Sequence, residues 1–135
     1  GAEGVQIGTR FALTKESSAH ENFKNLCLNL NEGDTKLLLK KLSPTRLVKG
    51  DFTTAVEEAE ARGASVEEMK ELLGKGRAKK GIFEGDLQEG ELEIGQVASL
   101  FRESQTVAEV MKEILDDFQA VTEKLSYFNT IFANY

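Results

Sequence analysis

Cysteine, proline and histidine are each present only once in these 135 residues, and each scarcity excludes something. A lone Cys27 leaves no internal disulfide, and the expected compartment is a reducing cytosol. A lone His20 leaves no partner for a nucleophile–base set and no histidine companion for a carboxylate metal site. No apolar run approaches the ~20 residues that a membrane-spanning helix requires, and the first residues do not resemble a signal peptide. Net positive charge is also missing: the formal charge is −6, which speaks against non-specific binding to nucleic acid. Internal repeats and low-complexity stretches are absent as well. What remains is ordinary for a globular chain, with 40% apolar and 30% charged residues and enough length for one core.

The opening segment, Gly1 to Phe11, reads GAEGVQIGTRF. Val5 and Ile7 are β-formers bounded by Gly4 and Gly8, which predicts a short core-type strand. Such a strand needs neighbours on both sides for its backbone groups, and nothing later in the chain offers several of the same kind. The expectation is therefore that Gly1 lies in the middle of a larger protein.

Further along, Ser18 with Glu21 predicts a capping box opening a helix through Phe23, Leu26, Cys27 and Leu30. Asn31 to Asp34 predicts a turn, and Leu37 to Leu39 fits either a short strand or the start of a helix. Pro44, after Ser43, predicts the first turn of a helix running through Ala55, Val56 and Ala59 to Gly63. Ser65 with Glu68 predicts a second capping box for a helix ending at Gly74. The glycine-punctuated stretch 75–90 suggests turns around a short helical piece, and Gly95 to Phe101 reads as a helix with small residues at its start. Thr106 with Glu109 predicts a third box, opening a long helix whose apolar face carries Val110, Ile114, Leu115, Phe118, Val121 and Leu125. The aromatic tail, Tyr127 to Tyr135, is expected to dock on another surface.

Chemistry concentrates at Gly8-Thr9. A parallel strand ending in Gly-Thr would expose backbone N–H groups, the absent Gly8 side chain would admit an anion, and Thr9 would add a hydroxyl. An ordinary glycine turn explains the same residues, and short glycine patterns often arise without a ligand. His20, beside Glu21, reads as a solvated or capping residue, and Cys27 as a small buried hydrophobe between Phe23 and Leu30. Lys75, Arg77, Lys79 and Lys80 form a basic cluster that fits either a solvated helix face or a docking patch for an acidic carrier or a coenzyme phosphate. Gly74-Lys75-Gly76 lacks the spacing of a P-loop. The glutamates between Glu57 and Glu71 have surface-like spacing.

The segment GAEGVQIGTRF resembles the eighth strand of the nitronate monooxygenase (2-nitropropane dioxygenase-like) and flavin-dependent enoyl-acyl-carrier-protein reductase family. Gly85 to Phe101, GDLQEGELEIGQVASLF, resembles the same family's later stretch, where a Gly-Gln pair precedes a small-residue helix. The order and spacing of the two segments agree, as does the closing helix from Thr106.

This resemblance implies an α/β fold: the C-terminal part of an FMN-binding TIM (β/α)8 barrel, carrying an inserted, mainly helical small domain. Residues 1–15 would form the last strand and phosphate-binding turn, 16–104 the inserted domain, and 105–135 the barrel-closing helix and tail. Gly8, Thr9, Gly95 and Gln96 would be the FMN-binding residues, with no metal. The family's catalytic groups fall upstream of Gly1, so residues 1–135 alone would be inactive.

The activity implied is NADH- or NADPH-dependent reduction of a 2-enoyl thioester on acyl carrier protein, as in fatty acid biosynthesis. Oxidation of alkyl nitronates by oxygen is the alternative, and a non-catalytic helical interaction module is an alternative of another class. Partners implied are a small-molecule or carrier-linked substrate, the rest of the protein's own barrel and a second copy in a homodimer, with neither nucleic acid nor membrane. Expressed alone, residues 1–135 are expected to self-associate and to hold FMN weakly.

Overall fold

In the computed structural model, residues 2–132 are described, the side chains of 128–132 excepted. The elements in order are α1 (Thr9–Ala12), α2 (Glu21–Leu28), β1 (Thr35–Leu38), β2 (Thr45–Val48), α3 (Asp51–Ala61), α4 (Val66–Leu73) and α5 (Val107–Phe132). A π-helical turn at Lys79–Phe83 and a 3-10 helix at Gln96–Leu100 lie between α4 and α5.

The strand expected over Gly1–Phe11 is not formed. Residues 2–8 have no regular secondary structure, and Thr9–Ala12 is helical. An extended segment becomes a strand only through a ladder, and the described residues supply residues 2–8 with none. Val5 is accordingly 81% exposed.

The sheet of the described residues is one antiparallel hairpin, β1 paired with β2 from Thr35↔Val48 to Leu38↔Thr45. The helix expected to begin at Pro44 therefore starts later, at Asp51. Thr45 and Val48 are β-branched and suit a pleated strand. The two-residue period of β2 also sends adjacent side chains to opposite faces. Leu47 enters a cluster with Leu38, Leu39, Val56, Ala59, Ala64 and Met69. Val48 enters the other cluster, with Leu13, Phe23, Cys27, Leu30, Ile94 and Ala98. A helical register could not divide Leu47 and Val48 between two cores so sharply.

Local chemistry sets most of the helix boundaries. Ser65 and Glu68 form the expected reciprocal box at α4, which stops at Gly74 with φ +66°. Thr106 and Glu109 do the same for α5, with Glu109 accepting from the Thr106 N–H at 2.7 Å. The box expected from Ser18 and Glu21 is replaced by His20, whose Nδ1 accepts from the Asn22 N–H at 3.1 Å. The capping reading of His20 thus holds, while the helix starts two residues later than a Ser18 cap would require.

After the π turn the chain comes back along the free edge of β2. Val48 N–H donates to Leu92 O at 2.9 Å, Ile94 N–H donates to Arg46 O at 3.2 Å, and Leu47 faces Glu93 in an isolated bridge. This return delivers Gly95 to the start of α1. On α5 the apolar stripe is uncovered in this structure: Val110 is buried, but Phe118 is 70% and Leu125 59% exposed. Apart from Tyr127, which is exposed, the aromatic tail lies outside the described side chains. No described helix is long and apolar enough to cross a membrane.

Candidate flavin-phosphate corner

Gly8 is the N-cap residue of α1, and no side chain caps it. The first-turn N–H groups of a helix have no partner within it, so donors point out of this end. A Cβ built on Gly8 would meet nothing within 4 Å, which leaves the approach to these donors open. Thr9, the next residue, uses its Oγ1 to accept the Gly95 N–H at 3.1 Å, bridging 86 positions of sequence. The hydroxyl proton of Thr9 is left for a further acceptor.

Glycine at position 95 makes this contact possible as it stands: a Cβ there would lie 2.5 Å from Thr9 Oγ1, so the Thr9 side chain or the segment would have to shift. Gly8, Thr9 and Gly95 line one cleft of about 500 Å³ together with Pro44, Arg46, Glu93 and Ile94. Three of the four sequence-derived candidates therefore meet. Gln96 does not join them: it lines a neighbouring cleft of about 730 Å³, with Thr35, Arg46, Ser99 and Arg102.

The corner is braced from behind by Arg10. Its Nη2 pairs with Glu113 Oε2 at 2.7 Å and donates to Gln105 Oε1, and its guanidinium stands 4.3 Å from the Phe101 ring centroid. These contacts tie α1 to α5 and to the end of the 3-10 helix. Sequence reasoning passed over Arg10 because its partners are about a hundred positions away.

The remaining candidates do not line this cleft. Cys27 is fully buried, and burial pushes its thiol up to about 12, so it stays protonated and packs as a small apolar group. In the basic cluster, Arg77 pairs with Glu89 at 3.5 Å and lies over the Phe52 ring, and Lys79 pairs with Glu84 at 3.1 Å. Lys75 and Lys80 stay exposed.

The donor set fits a phosphate: uncapped backbone N–H groups, one hydroxyl, and a glycine approach with open space in front of it. Arg46 and Glu93 are the charged residues of this cleft's lining, one of each sign.

Comparisons with known proteins identify the family of the chain. A probable nitronate monooxygenase of Bacillus subtilis (strain 168) is 54% identical over 37 residues, 27% of this chain and 11% of that protein. The structure of FabK from Thermotoga maritima superposes with a TM-score of 0.82 at 32% identity, over 95% of this chain and 40% of that one. The M276A mutant of the same protein superposes with a TM-score of 0.75 at 29% identity, over 95% and 38%. The chain thus spans well under half the length of the relatives it matches. The nitronate monooxygenase family model matches residues 1–117, which include both the Gly8-Thr9 turn and the Gly95 return. This chain belongs to the nitronate monooxygenase family.

Proposed function

We propose that the full-length protein is an FMN-dependent oxidoreductase that takes hydride from NADH or NADPH and reduces a 2-enoyl thioester carried on acyl carrier protein. The observation that carries the flavin part of this reading is the corner itself: the hydrogen bond from Gly95 to Thr9 joins two distant segments beside the open backbone donors of α1. The likeness to FabK over 95% of the chain favours the reductase branch.

FMN, when bound, supplies the hydride carrier between the two substrates. The part of this chain is binding and orientation. The N–H groups at the start of α1 and the Thr9 hydroxyl hold the phosphate end, and the Gly95 contact fixes Thr9 in place. Arg10 anchors the same turn to α5, so the donors are preorganised before the ligand arrives. The groups that act on the substrate belong to the rest of the barrel.

A second reading, oxidation of alkyl nitronates by oxygen, is favoured by the family model and by the name of the Bacillus subtilis relative. Both readings use the same corner. The deciding experiment follows the flavin absorbance of the full-length protein under anaerobic conditions. Reduction by NADH or NADPH followed by reoxidation with a crotonyl thioester is the expected result. Bleaching by a nitronate, with no response to the thioester, would establish the second reading instead. Gly8→Val, whose Cβ meets nothing within 4 Å among the described residues, is expected to lower flavin retention without lowering thermal stability. Unchanged flavin content in this variant would move the phosphate away from the corner.

A further inference from the structure

The five arginines of this chain separate into two groups. Arg10, Arg62 and Arg77 each pair with a glutamate: Glu113 at 2.7 Å, Glu68 at 3.5 Å and Glu89 at 3.5 Å. Arg46 and Arg102 pair with no carboxylate among the described residues, although the chain has 23 acidic side chains against 17 basic ones. Both line the same cleft, the one of about 730 Å³ that also holds Gln96 and Ser99.

Neutral acceptors hold these two guanidiniums. Arg46 Nη1 donates to Thr35 Oγ1 at 3.2 Å, and Arg102 Nη1 donates to Leu30 O at 3.0 Å and to Phe101 O at 3.1 Å. A guanidinium has five N–H donors in a rigid fork, so each arginine keeps donors in reserve after these bonds. Glu32 is the acidic residue of the lining, and it stands beyond ion-pair distance of both. Two arginines without a carboxylate partner on the lining of one cleft suit an anion with several oxygens, for which the planar fork is built; Arg102 also borders a second cleft, with Glu103 and Glu113.

We propose that this cleft binds the phosphate ester of the substrate that meets the flavin. The inference rests on the oxidoreductase reading above, and two features fix the ligand class. The cleft has the volume of a small-molecule site rather than of a single inorganic ion. Arg46 lines both this cleft and the one formed by Gly8, Thr9 and Gly95, so the second anion would sit against the flavin-phosphate corner. Val97 and Leu100, 41% and 74% exposed, give the mouth an apolar side for the rest of the ligand. The same chemistry belongs to the diphosphate of a nicotinamide dinucleotide and to the phosphates of a pantetheine thioester.

The test uses the full-length, flavin-loaded protein. Calorimetric titration with sodium pyrophosphate reads the cleft directly, and KM values for NADH and crotonyl-CoA read its owner. Arg102→Gln is expected to weaken pyrophosphate binding about tenfold, with Arg102→Lys recovering part of the loss. The KM of one substrate should rise by a similar factor while kcat changes less than about twofold. A rise for NADH assigns the dinucleotide, and a rise for crotonyl-CoA assigns the thioester. Ser99→Glu, which introduces a carboxylate while leaving the Arg102 carbonyl bonds in place, should reproduce the loss even if Arg102→Gln folds poorly.

Pyrophosphate affinity and both KM values within about twofold of wild type, in Arg102→Gln and in Ser99→Glu, would overturn the proposal. A wild-type protein that binds pyrophosphate but retains no flavin would leave the anion site standing and remove the oxidoreductase reading.

Discussion

Thr9 and Gly95 make a contact whose two halves can be tested against each other. Gly95→Ala would place a methyl group 2.5 Å from Thr9 Oγ1 and is expected to destabilise by about 1–3 kcal/mol, as overpacking does. Thr9→Ala removes the obstructing oxygen, leaving the residue-9 Cβ at 3.6 Å and Val97 Cγ1 at 3.8 Å, both ordinary contacts. The double variant should therefore be more stable than the sum of the singles, by at least about 0.5 kcal/mol of coupling in denaturant titrations. Strict additivity would mean that the corner relaxes freely and that Gly95 is not needed there. Glu91 offers a test of opposite kind. Burial raises its carboxyl, the nearby Glu93 adds to the shift, and Arg77 opposes it. A raised acid is a penalty on the folded state at neutral pH, lost as the pH falls through the folded value towards the ordinary carboxylate range. Glu91→Gln should thus melt higher than wild type at pH 7, and the gap should close on acidification. A gap that widens at low pH would show the carboxylate to be held by a favourable partner.

At the scale of elements, local signals were legible and distant ones were not. The boxes at Ser65–Glu68 and Thr106–Glu109 sit within four consecutive residues, so the chain announces them by itself. The Asn31–Asp34 turn likewise closes on itself, through the Asp34 N–H to Asn31 O bond at 3.2 Å. By contrast, the assignment of Thr45–Val48 to a strand depends on β1, and Pro44 by itself points equally well to a helix start. The same limit applied to the corner. Gly8 and Thr9 were legible as a glycine turn with exposed donors and Gly95 through a resemblance, whereas Arg46, Arg102 and Arg10 became visible only when the fold gathered them. The N-terminus of α5 hides another such residue: the Val107 N–H donates to both carboxylate oxygens of Glu16 at 3.0 Å, across 91 positions. An acid at a helix start satisfies an orphan donor and opposes the dipole. Glu16→Ala is expected to lower stability by about 0.5–1.5 kcal/mol, with Glu16→Gln losing less because an acceptor oxygen remains. Equal losses for the two variants would show that charge alone, without the hydrogen bond, does the capping.

At the scale of the whole molecule, two clusters on opposite faces of the hairpin make a body from residues 9–106, and α5 runs on from it with its apolar face bare. Val110, in the first turn of α5, is 1% exposed, but Leu115 is 57% and Val121 57% exposed. A contiguous apolar stripe of this length marks a surface meant to be covered. The chain spans 40% of the FabK structure it superposes on, and we expect the cover to be the remaining barrel of the full-length protein. Leu115→Ala separates the two contexts. In the full-length protein, with the leucine buried, it should cost about 2–5 kcal/mol in denaturant unfolding. In residues 1–135 alone, where the side chain faces water, it should cost less than about 0.5 kcal/mol. The isolated piece should also self-associate through the bare stripe, and Phe118→Glu should return it towards a monomer in size-exclusion chromatography while abolishing flavin retention in the full-length protein. Equal costs for Leu115→Ala in both settings, together with a monomeric isolated piece, would show that α5 stands free and that the barrel does not close on it.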